Sequence, residues 1–178
     1  PQERAPLNIP YVCCSYDNQY GTLPPDSYAS VSIADEEEAC RAVTELYRCG
    51  HRRIAALVSG TEDRSISQLR YQGYVRALAA HDLPLDPALG IEAGSFDIRQ
   101  SYLAMQRHLL TGAQFTALFA ISDNMAIGAM RALREAGRRI PEDCSVIAID
   151  GLTISDYINP TLTTLCQPVE HMGRRSVE

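Results

Sequence analysis

The chain has 178 residues, 46% hydrophobic and 21% charged, the balance of one ordinary domain or two small lobes able to bury a core. A formal charge of -6 argues against this stretch gripping DNA or an anionic membrane by itself, because phosphate binding depends on Lys and Arg density. No apolar run reaches the length of a membrane span, and the opening PQERAPLNIP lacks the layout of a signal peptide. Six cysteines, Cys13, Cys14, Cys40, Cys49, Cys144 and Cys166, form no CxxC pair and no ligand cluster with histidine. They read mostly as small buried hydrophobes in a reducing cytosol, with no metal site and no cofactor.

In chain order, Pro1 to Pro10 reads as irregular and Tyr11 to Ser15 as a strand, followed by a turn-rich loop from Tyr16 to Ala29. Ser30 to Ile33 is a second short strand. From Asp35, the residues Ala39, Val43, Leu46 and Tyr47 mark a helix whose first turn carries three glutamates and which Gly50 ends. Arg53 to Ser59 is a buried strand, and Ser65 is placed to cap a helix running through Ile66, Leu69, Gly73, Tyr74, Ala77 and Leu78. Gly90 to Ala93 is a weak strand, and Ile98, Tyr102, Met105 and Leu109 give another helical stripe, stopped at Gly112. Ala117 to Ile121 is an apolar strand ending at Ser122 and Asp123. Met125, Ala129, Leu133 and Ala136 then recur at helical spacing up to Gly137. A β-branched run, Val146 to Ile149, ends at Asp150 and Gly151. Leu162 to Leu165 is a last strand candidate before a helix beginning near Val169.

From Arg53 to Asp150 strands and helices therefore alternate, and right-handed crossovers make that a doubly wound parallel sheet. Ser122, Asp123 and Asp150 fall at strand ends, the edge where helix N-termini and loops surround a ligand crevice in open α/β sheets. The first lobe, with two strands and one helix before Gly50, leaves a sheet edge open. GxSxG, P-loop, GxGxxG and HExxH motifs are absent, and His51, His81, His108 and His171 stand apart as surface or helix-end residues. Nothing in this pattern marks an enzyme.

The segments CGHRRIAALVSG, LRYQGY, ISDNMAIGAMRALREAG, IPEDCSVIAIDG and PTLTTLCQPVEHMG follow one another in an order that resembles the effector-binding core of the lac/gal repressor family, densest from Ser30 to Gly173. That resemblance implies a two-lobed fold like the type I periplasmic binding proteins, with a doubly wound parallel sheet and an incomplete first lobe. It places residues 1–50 in an N-terminal lobe, 51–163 in a C-terminal lobe and 164–178 in a segment returning to the first. Crossings are expected near Gly50 to Arg53 and Thr163 to Gln167. A small effector would sit between the lobes of a cytoplasmic homodimer, and operator DNA would be touched only through a helix-turn-helix headpiece absent from these residues. Such a chain would be an internal fragment of a repressor. The alternative is the solute-binding protein of a sugar transport system, which calls for a secretory signal and few free cysteines.

Carried onto this sequence, the resemblance makes Arg70 the foremost ligand residue, a guanidinium donating a fork of hydrogen bonds from the first turns of a helix; its other reading is a solvated helix arginine. Asp150 either accepts from paired hydroxyls or caps the next turn. Ser122 is either a polar ligand contact or the cap of the helix it precedes. Asp123 reads as structural. Phe96 either matches an aromatic position that stacks on the effector or is a buried loop aromatic, and Arg64 matches only some purine- and sugar-binding relatives. Gln167 lies on a crossing strand and serves ligand or hinge, while Tyr16 and Asp17 follow a strand end on the opposite wall. Arginine, aspartate, hydroxyl and aromatic plane together suit a sugar or related polyol, and an acidic one if Arg64 and Arg70 both point inward.

Overall fold

A computed structural model describes residues 12–14, 29–60 and 66–178. The chain divides into two compact units, Pro1–Ile33 with Pro168–Glu178, and Ala34–Gln167. In the smaller unit, β1 (Val12–Cys14) pairs parallel with β2 (Ala29–Val31), and helix α5 (Val169–Arg175) buries Met172.

The larger unit contains α1 (Asp35–Arg48), β3 (Ile54–Val58), α2 (Ile66–Ala80), β4 (Gly90–Glu92), α3 (Ile98–Leu110), β5 (Ala117–Ala120), α4 (Asp123–Glu135), β6 (Ser145–Asp150) and β7 (Thr163–Cys166). Its five strands are all parallel, in the order β4-β3-β5-β6-β7. Every residue of β3 and β5 is buried, the signature of strands covered on both faces rather than on one. The connection through α2 runs outward from β3 to β4, whereas those through α3 and α4 run the other way across the sheet. Right-handed crossovers therefore put α2 on one face and α3 and α4 on the other. Helix α1 packs beside α2, over β5 and β6.

Two glycines set how closely each helix pair approaches. A Cβ on Gly73 of α2 would lie 2.7 Å from the Ala39 Cβ of α1, and one on Gly128 of α4 would lie 2.9 Å from the Tyr102 amide nitrogen of α3. Both distances are shorter than real side chains tolerate, so the two pairs need a residue without Cβ at the crossing. Between the layers lie Tyr74, Phe119, Leu57, Leu118, Met125 and Leu133, all fully buried. Tyr74 satisfies its hydroxyl by donating to the Ile54 carbonyl at 2.9 Å, and burial pushes that phenol well above its usual pKa.

Helix α1 falls in the larger unit, which begins at Ala34. Helix α1 buries Asp35, Ala39, Ala42, Val43 and Leu46, one continuous stripe, and packs with α2. At the other end, β7 is an integral strand of the larger sheet, and the larger unit extends to Gln167. The cysteines also differ from expectation: all six are free, but only Cys144 is buried, where desolvation raises its thiol to about 12. Two one-turn 3-10 helices, Pro87–Leu89 and Thr153–Asp156, lie in the connections before β4 and after β6. The first is organised by Asp86, whose carboxylate accepts from the Ala88 amide at 3.0 Å.

His108, expected at a surface or helix end, is in the last turn of α3 but buried, its ring 5.7 Å from that of Phe115. The Arg138 guanidinium lies 4.7 Å from the same Phe115 ring, so a protonated imidazole would add a second cation to this pocket. Burial holds the His108 pKa below 6.5. The unfolded chain then binds more protons than the native one just below pH 6.5, and stability falls as pH drops through that window. Urea titrations from pH 7.5 to pH 5 are expected to show this loss in the wild type and a flatter profile in His108→Gln; equal slopes would rule out His108 as its source.

Candidate functional site

The carboxyl edge of the larger sheet gathers the ends of β3, β5, β6 and β7. Helix α2 starts beside it, with Ser67 buried and its hydroxyl accepting from the Ser59 and Gly60 amides at 3.2 and 3.3 Å. One turn on, Arg70 points inward on the same stripe as Ser67, Gly73 and Tyr74, and only 3% of its side chain is exposed. Its Nε donates to Asp35 Oδ1 at 2.7 Å. Its Nη1 donates to the Ile121 carbonyl, at the end of β5, and to Asp150 Oδ1 at 3.2 Å. So one guanidinium ties α1, α2, β5 and β6 together.

Asp150 is the hub on the other side. Gln167 Nε2 donates to its Oδ1 at 2.8 Å, and the Asp123 amide lies 3.4 Å from its Oδ2. Its backbone sits at φ 151°, a region L residues rarely adopt, and it keeps 20% of its side chain exposed. Desolvation raises its carboxyl above the usual value, although Arg70 and Gln167 pull it down. An aspartate so placed is a partly dry acceptor facing the sheet edge, suited to hydroxyl donors.

Ser122 resolves toward its local reading: its hydroxyl accepts from the Met125 amide at 3.3 Å as the N-cap of α4, and the residue is buried. Asp123 is fully buried and structural, as expected, accepting from the Leu152 amide at 2.7 Å, Ser155 Oγ at 2.7 Å and Thr164 Oγ1 at 2.5 Å. Phe96 lies in the loop after β4, 40% exposed, and shares no hydrogen-bonding or ring contact with the Arg70 network among the described residues. Arg64, Tyr16 and Asp17, and the cap proposed at Ser65, lie outside the described residues. Among the described residues no cluster of His, Cys, Asp and Glu could hold a metal, and no helix is long and apolar enough to cross a membrane.

The sequence reading missed Asp35. A signal existed: Asp35 lies on the repeat of Ala39, Ala42, Val43 and Leu46, and an acid on an apolar stripe needs a buried cation.

Residues 43–178 match the family described as "Periplasmic binding protein-like domain". The chain is 36% identical over 166 residues to the probable HTH-type transcriptional repressor ExuR of Bacillus subtilis, covering 93% of this chain and 48% of that protein. This chain belongs to the LacI family. Among solved LacI-family relatives, the transcriptional regulator CelR in complex with cellobiose superposes with a TM-score of 0.83 at 34% identity, over 94% of this chain and 50% of that one. A LacI-family regulator from Enterococcus faecium with bound ribose gives 0.80 at 28% identity, over 94% and 59%. The chain spans about half the length of the curated LacI-family relatives it matches.

Proposed function

We propose that this chain is the effector-sensing part of a transcriptional regulator, and that a sugar or related polyol binds at the carboxyl edge of the larger unit. The observation that carries this is the convergence of Arg70, Asp150 and Gln167, from three separate elements, on one hydrogen-bonded network beside a partly exposed carboxylate. Asp150 and Gln167 offer acceptors and a donor to ligand hydroxyls, Arg70 orients Asp150, and the half-open Phe96 ring supplies an apolar face for a sugar ring. Arg64, Tyr16 and Asp17, outside the described residues, stay further candidates for ligand contact in this reading. Relatives solved with cellobiose and ribose support a sugar, and relatives named as repressors support a regulator over a transport protein or an enzyme.

In this reading the protein is a cytoplasmic homodimer that meets operator DNA through a helix-turn-helix segment outside the residues described. Effector acts by preferring one conformation over another, because a ligand shifts an equilibrium only by its differential affinity for the two states. Isothermal titration of the purified protein against cellobiose, ribose, other neutral sugars, sugar acids and purine nucleosides tests the proposal. Saturable binding of a sugar is expected, and a correctly folded protein that binds no sugar would overturn it.

A further inference from the structure

We infer that a groove at the far end of α4, lined by Arg134, Arg138 and Arg139, binds a phosphate group, either free or carried on a small phosphorylated compound. The inference does not rest on the sugar reading, because the two places lie at opposite ends of one helix. Helix α4 starts at the carboxyl edge with Asp123 and ends at Glu135, about 18 Å further on at the usual helical rise. Gly137, at φ 79°, turns the chain there, and a cavity of about 370 Å³ opens between this turn and Pro160. That volume suits a small molecule.

Arginines gathered after a helix end are ordinarily a solvated face, so their partners decide the matter. Arg139 is satisfied: Asp143 accepts from its Nε at 2.9 Å and from its Nη2 at 2.7 Å. The other two are not matched by acids. Arg134 Nη1 donates to the neutral Asn159 carbonyl at 2.7 Å. The Arg138 guanidinium lies 4.7 Å from the centre of the Phe115 ring and makes no hydrogen bond among the described residues, and its Nη1 is buried. Hydrogen bonds from Arg139 hold the Asp143 carboxyl well below the usual carboxylate range, and Arg138 adds only a weaker effect by charge. A buried donor without an acceptor costs free energy that a bound oxyanion offsets. The negative end of the helix dipole opposes an anion here, yet the last carbonyls are already capped. The Gly137 amide donates to the Arg134 carbonyl and the Arg138 amide to the Leu133 carbonyl, both at 2.9 Å. Guanidinium forks match phosphate oxygens in pairs, and Ile140 and Pro160 offer an apolar wall to a carbon skeleton. Glu142, exposed on the rim, is the one lining carboxylate and works against an anion.

The test titrates the purified, isotopically labelled protein at physiological salt with inorganic phosphate, with glycerol 3-phosphate and, as a neutral control, with glycerol, and follows backbone amide chemical shifts. Both phosphates are expected to give saturable shifts at residues 137–143 with a Kd of about 1 mM or tighter, and glycerol none. Arg134→Gln and Arg138→Gln should each weaken binding about tenfold or more, the effect of losing one charge-assisted hydrogen bond. Glu142→Gln should tighten it about threefold, as loss of a nearby like charge at a surface does. Tighter binding of glycerol 3-phosphate supports the site as one for a phosphorylated compound, and equal or weaker binding supports it as one for free phosphate. Binding that never saturates, shifts that map elsewhere, either folded arginine variant binding like the wild type, or a Glu142→Gln that binds more weakly would overturn the inference. Should Arg138→Gln fail to fold, Arg134→Gln, on the exposed wall, decides in the same way. A protein that binds no sugar would leave these expectations unchanged.

Discussion

Arg70→Met is expected to lower the unfolding free energy by about 3 to 5 kcal/mol, the usual cost of removing one partner from a buried ion pair. Methionine fills much of the same volume, so the loss comes from charge rather than from a cavity. Asp35, with 7% of its side chain exposed, and Asp150 would be left without their shared cation. The pH dependence identifies the cause. Asp150 already has a raised pKa from desolvation, opposed mainly by Arg70, and removing Arg70 lifts it further. Between the unfolded and the raised native value the native state holds more protons, so stability falls as pH rises through that window. The deficit of Arg70→Met against wild type should thus be larger at pH 7.5 than at pH 5, read from urea unfolding midpoints. A deficit independent of pH would show that the buried carboxylates are not its origin.

Asp123→Ala should have a comparable effect for a different reason. One carboxylate serves the start of α4, the 3-10 turn Thr153–Asp156 and β7, through the Leu152 amide, Ser155 Oγ and Thr164 Oγ1. Ser155 is itself buried. Each donor left without a partner in such a place costs about 1 to 3 kcal/mol, so a loss of about 3 kcal/mol or more is expected in denaturant titration. Hydrogen exchange should accelerate most at residues 151–166, because their connection to α4 is cut. Uniform acceleration, or a loss under about 1 kcal/mol, would contradict the role given to Asp123.

Much of this architecture was legible from periodicity. Continuous apolar runs at Ile54–Val58 and Ala117–Ala120 are strands buried on both faces, and the stripe through Met125, Ala129 and Leu133 is the inner face of α4. Composition and resemblance together also led to the right family. Partnership was harder to read. Nothing local in the sequence says whether Arg70 faces solvent or core, since it stands between Leu69 and Tyr71 in a helix with apolar residues on several sides. The choice is made by Asp35, 35 residues earlier, whose carboxylate waits across the α1–α2 contact. The place of α1 is just as hidden: it depends on the close approach at Gly73, a tertiary event. His108 looked like a helix-end residue because its position is one, yet Phe115 packs against its ring from the segment that follows α3.

The measurement that bears most directly on the account is a crystal structure of the protein with its tightest-binding sugar. The account predicts ligand oxygens within hydrogen-bonding distance of Arg70 and Asp150, with Asp35 still holding Arg70 Nε. A sugar seated elsewhere, with the Arg70 network untouched, would contradict it.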